Sequence, residues 1–346
     1  MRTDVLVIGS GLAGCAAALA AAKRGAAVTI ITKNLAAEES NTFYAQGGII
    51  YRGAGDSQEA LAKDIMEAGA GLCLPEAVEL VSREGPRLCK EILIDELHVP
   101  FDEGEDEEGE FHLTAEAAHS VPRILHHRDF TGQAIERAMI RALGGHPNVA
   151  VLTNMTAIDL LTLSHHSLIP QDIYRSPTCA GAYVLDQSSG EVAPILAKET
   201  VIAAGGLGAI FLHTTNPPGA RGVGIAMAYR AGARCVNLHY VQFHPTTLYH
   251  PSGRFLISEA LRGEGARLID SRGREFMKEY HPAGSLAPRD VVARGIHQMM
   301  LETGAPCAYM DISQKPADWI RSRFPTIHAR CLARPAAGLA PVAARD

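Results

Sequence analysis

Three glycines, Gly9, Gly11 and Gly14, stand between an apolar run, Asp4-Val-Leu-Val-Ile8, and an alanine-rich stretch that starts at Cys15. A Gly-x-Gly-x-x-Gly turn that follows a strand and opens a helix is built to hold a dinucleotide. Gly9 permits the turn, Gly11 lets backbone amides approach a pyrophosphate, and Gly14 lets helix and strand pack closely. The helix N-terminus adds positive potential. Ser10, Leu12 and Ala13 complete this candidate cofactor turn. An NAD site would close its second strand with an acidic residue for the adenosine ribose; Thr32-Lys33 stand there instead, which disfavours a nicotinamide dehydrogenase.

Other chemistry-bearing types are less organised. The seven cysteines are scattered without CxxC spacing, so they read as buried, reduced, small hydrophobes rather than zinc ligands or exchanging thiols. The acidic run Asp102 to Glu110, broken by Gly104 and Gly109, reads as a solvated loop without ligand geometry.

The elements that must position the turn follow from periodicity. Strands are expected at residues 4–8, 28–31, 149–153 and 199–203, with 181–185 in a smaller antiparallel layer. Helices are expected over 15–24, 57–68, 131–143 and 222–231, and over 75–93 with a break at Gly85-Pro86. Residues 329–346 are almost wholly Ala, Arg, Pro, Gly and Leu and look unlike the sequence before them.

At 346 residues, two domains are the default. A hydrophobic content of 47%, charged residues at 20% and a formal charge of -6 describe a globular protein without a nucleic-acid footprint. Lys23, Arg24 and Lys33 interrupt the N-terminal apolar stretch, so neither a spanning helix nor a signal peptide is expected, and the expectation is a cytoplasmic protein.

Further along, Ser40-Asn-Thr-Phe-Tyr-Ala-Gln-Gly-Gly48 resembles the flavin-cradling segment of the succinate dehydrogenase and fumarate reductase flavoprotein family. In the same order, Ala203-Ala-Gly-Gly206, Gln242-Phe-His-Pro-Thr246, Ser258-Glu-Ala-Leu-Arg-Gly-Glu-Gly265 and Ala287-Pro-Arg-Asp290 are similar to that family's motifs. The stretches Arg123-Ile-Leu-His126, Asp129-Phe-Thr-Gly132 and Asp311-Ile-Ser-Gln-Lys-Pro-Ala-Asp318 resemble its amino-dicarboxylate-oxidising branch. In the succinate dehydrogenase branch a His occupies the position of Asn41 and bonds to FAD; Asn cannot.

The resemblance implies an α/β fold: a Rossmann-like FAD-binding domain over residues 1–237 and an inserted α+β capping domain over 238–332. The C-terminal part of the family fold is expected to be missing, and residues 333–346 form an atypical tail from a truncated, split or frame-shifted gene. It implies noncovalent FAD held by the turn and by Lys33, Ser40, Asn41, Thr42, Phe43, Tyr44, Ala45, Gln46, Gly47, Gly48, Ala204, Gly205, Gly206 and the position of Val223. It also implies oxidation of L-aspartate or a related dicarboxylate, O2 or fumarate as acceptor, and delivery of the product to quinolinate synthase in NAD biosynthesis.

By the same resemblance His244 and the pair Ser258-Glu259 contact substrate, Arg289 binds a carboxylate and transfers a proton, and Glu116 faces the substrate amino group. Alone, His244 reads as a core histidine and Glu116 as a solvated carboxylate, while Arg289 could pair with Asp290 at the surface. Arg262 and Glu264 are expected to form a buried structural pair. Val223 departs from the family's Asp and cannot accept a hydroxyl hydrogen bond. That departure and the missing segment support a rival reading, an inactive or partner-requiring FAD-binding fragment; a fumarate reductase or succinate dehydrogenase-type flavoprotein is disfavoured by Asn41.

Overall fold

The computed structural model describes residues 1–104, 110–250 and 253–333, so the interior of the acidic run and nearly all of the expected tail lie outside the described residues. Strand β1, Arg2–Ile8, leads into helix α1, Leu12–Lys23, and then strand β2, Val28–Ile31. Every residue of β2 is buried, as is the end of β1 at Leu6, Val7 and Ile8. This is the continuous apolar pattern of parallel strands covered on both faces.

Six strands form the main sheet, in the order 149–152, 28–31, 2–8, 192–202, 179–186, 155–162. The first four run parallel and the last three antiparallel, with Val192–Ile202 shared by both halves. Its first part pairs with Gly181–Leu185, and its second with β1 up to Ile8↔Ile202. One strand thereby joins the cofactor-binding half of the sheet to the antiparallel layer. Leu6, Ile8, Ile31, Ala182, Val184, Ile195 and Met227 pack into a common core there.

The chain divides into two compact units. The first holds Met1–Tyr44 and Gly132–Val241, the second Ala45–Thr131 and Gln242–Asp346. The second unit thus takes in Ala45–Thr131, which the sequence reading leaves in the first domain, because that segment builds its own layer. Its strands Ile49–Ile50, Leu113–Thr114 and Ile124–Leu125 form a small antiparallel sheet. Gly48 feeds that sheet so closely that a Cβ would lie 2.1 Å from the Leu125 carbonyl oxygen. Two further cores in this unit centre on Phe324 with Leu261, and on Phe276 with Val292.

One expected boundary is wrong. Residues Pro75–Leu88 run as one helix through Gly85-Pro86 and continue as a wider π-type helix over Cys89–Glu96. Proline deprives the carbonyl four residues back of its donor. Arg52 supplies the missing one, donating from Nη2 to the Ser82 carbonyl at 3.0 Å. The start of the alanine-rich tail also folds: residues 329–333 complete a helix, Pro325–Ala333, with Ile327 buried.

Candidate active site

The cofactor turn has the geometry its spacing requires. Gly9 has φ +113°, where an L side chain is strained, and its Cβ would stand 2.3 Å from the Ala203 carbonyl oxygen. A Cβ on Gly14 would lie 2.0 Å from the Gly9 carbonyl oxygen, so α1 can approach the turn only through glycine. At the helix start no side chain caps Gly11, although Thr42 Oγ1 accepts from the Leu12 amide at 3.1 Å. Ser40 Oγ accepts from the Phe43 amide at 3.2 Å, and Ser10 Oγ donates to the Ala37 carbonyl at 2.6 Å. The Ser40 hydroxyl therefore shapes its own segment, that of Thr42 ties the segment to the start of α1, and Tyr44 donates to Glu39 at 2.7 Å.

Around this turn, Lys33 donates from Nζ to the Gly219 carbonyl at 2.5 Å, and burial lowers its pKa. Asn41 donates to Asn216 Oδ1 at 3.1 Å. Gly205 and Gly206 border open space, since a Cβ on either meets nothing within 4 Å. Val223 opens the helix Val223–Arg230 and is 42% exposed, so a side chain here is accessible. A backbone-lined helix N-terminus beside an open glycine edge fits a dinucleotide pyrophosphate. Near it lies a group that sequence reasoning passed over: Glu136 is wholly buried, and burial pushes its pKa up to about 8 against the opposing pull of the Ser40 hydroxyl.

In the second unit, four separated segments bring ionisable groups together. Arg289 starts the helix Arg289–Thr303 and is held from three sides: Nε donates to Glu259 Oε2 at 2.5 Å, Nη1 to Gln242 Oε1 at 2.8 Å, and Nη2 stands 3.7 Å from Glu116 Oε2. Asp290 is no partner of Arg289 here; it pairs with Arg294 at 2.8 Å. Glu259, almost wholly buried, also accepts from the Ala117 amide at 3.0 Å and faces Arg262 at 3.4 Å.

Burial opposes ionisation of Glu259, but Arg289 and Arg262 outweigh it and lower its pKa. Glu116 is raised instead, by burial and then by the Glu259 charge, against the pull of Arg289. Two carboxyls whose environments push their pKa values apart are suited to different proton roles. Glu116 is thus half-buried in this cluster, not solvated beside the acidic run. His244 Nδ1 donates to the Thr246 carbonyl at 2.9 Å, and burial with the nearby Arg289 lowers its pKa to about 4, so the imidazole is neutral at pH 7.

Ser258, also buried, spends its oxygen on the Ala260 amide at 3.2 Å. The expected Arg262–Glu264 pair does not form. Arg262 turns to Glu259 and to the Ser285 carbonyl at 2.8 Å, while Glu264, just past the end of the short helix Ala260–Gly263, pairs with Arg323 at 3.2 Å. Gly47 adjoins this cluster: a Cβ there would stand 3.0 Å from Glu116 Oε1. Gln242 was visible inside its motif but carried no assignment, and Arg262 was expected only as the partner of Glu264. Among the described residues no group of His, Cys, Asp or Glu side chains could hold a metal, and no helix is long and apolar enough to cross a membrane.

Residues 4–338 match a family described as FAD binding domain. The chain is 44% identical to L-aspartate oxidase of Pseudomonas aeruginosa over 95% of its own length and 61% of that protein's. It is 43% identical to a chloroplastic L-aspartate oxidase of Nicotiana tabacum, covering 95% of this chain and 50% of the relative. Among solved structures, E. coli quinol fumarate reductase superposes with a TM-score of 0.84 at 23% identity, over 99% of this chain and 58% of that one. The chain therefore spans about three fifths of the bacterial relative's length.

Proposed function

This chain belongs to the family of FAD-binding domains, with FAD as its cofactor, and on that premise we propose that it oxidises L-aspartate to iminoaspartate. The observation that carries this reading is the convergence of Arg289, Glu259, Glu116 and His244 in one cluster. An amino dicarboxylate brings two carboxylates and one ammonium. Arg289, with a third of its side chain exposed, offers its guanidinium edge to a carboxylate while Glu259 and Gln242 fix its plane. His244 is fixed at the Thr246 backbone through Nδ1 and stands near Arg289, where a second carboxylate would raise its lowered pKa. Glu116 is left for the ammonium.

FAD, when bound, supplies the hydride acceptor. A proton given up by the substrate has a route from Arg289 to Glu259 Oε2 at 2.5 Å and on towards Arg262 at 3.4 Å. Asn41, which cannot form a bond to the flavin, supports noncovalent attachment: acid precipitation should leave the yellow colour in the supernatant. O2 or fumarate as acceptor, delivery to quinolinate synthase in NAD biosynthesis and a cytoplasmic setting belong to the same proposal. The deciding experiment is L-aspartate-dependent peroxide formation by the FAD-loaded protein, with flavin bleaching under anaerobic conditions. Protein that binds FAD yet is bleached by succinate and not by L-aspartate would favour a succinate dehydrogenase-type activity, the second reading, for which the shared fold speaks.

A further inference from the structure

We propose that Asp64, a residue outside the substrate cluster, is the positioning residue that sets Glu116 for amino-group recognition; the inference rests on the reading of Glu116 given above. Glu116 sits on the loop between the strands Leu113–Thr114 and Ile124–Leu125. Left to itself, such a loop would hold a carboxylate loosely. Here it is pinned at both ends.

Near Glu116, the Ala117 amide donates to Glu259 Oε1 at 3.0 Å, and the loop packs so tightly that a Cβ on Gly263 would lie 2.5 Å from the Ala115 carbonyl oxygen. At the far end, Asp64 Oδ2 accepts from the Ser120 amide and the Ser120 hydroxyl, both at 2.9 Å, and from Arg123 Nη1 at 2.5 Å. Arg123 is wholly buried and makes a two-pronged contact with Asp56, Nε to Oδ2 at 2.9 Å and Nη2 to Oδ1 at 2.8 Å. Asp64 itself is 8% exposed on the helix Gln58–Ala68. One carboxylate oxygen therefore ties that helix to the loop four residues beyond Glu116, while Asp56 keeps Arg123 neutralised independently.

A buried acceptor with three donors is rigid, and losing its charge releases the loop at Ser120 while Arg123 keeps its two-pronged contact with Asp56. The specific consequence is a loss of discrimination between an amino dicarboxylate and its unsubstituted counterpart, because only the former uses Glu116.

The test measures, in steady-state turnover by the FAD-loaded protein, the KM of L-aspartate and the competitive inhibition constant of succinate for the parent, Asp64→Asn, Ser120→Ala and Glu116→Gln. Asp64→Asn is expected to weaken L-aspartate about tenfold and leave succinate within about twofold, with Ser120→Ala moving the same way by about threefold. Equal weakening of both ligands, or no change in either, overturns the inference. Should Asp64→Asn fail to fold, Ser120→Ala decides, because it removes one hydroxyl and keeps the backbone bond. If Glu116→Gln discriminates and the Asp64 and Ser120 variants do not, the positioning inference falls alone. If Glu116→Gln itself leaves the ratio unchanged, the reading of Glu116 falls and takes the inference with it.

Discussion

The cofactor turn and the substrate cluster are built from opposite materials. Gly9 to Gly14 is six consecutive residues that work through backbone atoms and absent side chains. The cluster is side chains alone, drawn from Glu116, from Gln242 and His244, from Glu259 and Arg262, and from Arg289. A backbone-made site is inseparable from the fold, since any added atom meets the main chain. A side-chain site is separable, since each group can be removed while its helix or loop stays packed. Substitution should therefore cost folding and FAD together in the first region, and substrate chemistry alone in the second.

The largest expected effect is at Gly14. Gly14→Ala places a methyl 2.0 Å from the Gly9 carbonyl oxygen, where only main chain could yield. It should destabilise the protein by about 3 kcal/mol and abolish FAD retention, read by thermal unfolding and by flavin content after purification. A stable, yellow Gly14→Ala protein would break the contrast at once. Arg289→Leu tests the other half. Turnover of L-aspartate should fall roughly 10²- to 10³-fold while FAD affinity and melting temperature hold, as for loss of one charged donor in a dry site. Glu259 keeps Arg262 as a partner in this variant, so no carboxylate is stranded.

Glu136 sharpens the comparison, because it is a side chain in the region otherwise made of backbone. Its folded pKa of about 8 lies above the ordinary carboxyl value of 4.5. The folded state therefore favours the proton: stability is fullest below pH 4.5 and declines as pH rises towards 8. Glu136→Gln removes that decline. Denaturant titrations should show the variant more stable than the parent at pH 8.5, by on the order of 2 kcal/mol, with the gap closing by pH 5. A gap independent of pH would mean that the carboxyl is hydrated or paired in solution.

The smallest expected effect is a gain. Val223→Asp puts a carboxylate at the first turn of the helix Val223–Arg230, where it can accept from a ribityl hydroxyl and complement the helix dipole. FAD affinity should rise about tenfold in a fluorescence titration. An unchanged affinity would place residue 223 away from the flavin.

Much of this was legible before any coordinates. Regular spacing survives as local structure, so the βαβ start, the helices at 58–68 and 131–144 and the strands at 149–152 and 179–186 lie where periodicity put them. Ser57 caps its helix at the Ala60 amide, at 3.1 Å, as a serine before an amphipathic run should. The break expected at Pro86 failed because its compensation comes from Arg52, far along the chain and outside any local window. Likewise, the motifs marked Arg262 and Glu264 but misassigned their partners, since a short helix and the residue after it do not announce which way their side chains turn.

By itself the sequence determined the dinucleotide turn, the family and the roster of polar residues, because those depend on residue type and short-range spacing. Only the tertiary structure decided that Ala45–Thr131 packs into the second unit, that Glu116 is half-buried among other charges with its pKa raised, and that Asp64 holds the loop that carries it. Burial and charge proximity are set by segments far apart in the chain, and no periodicity records them.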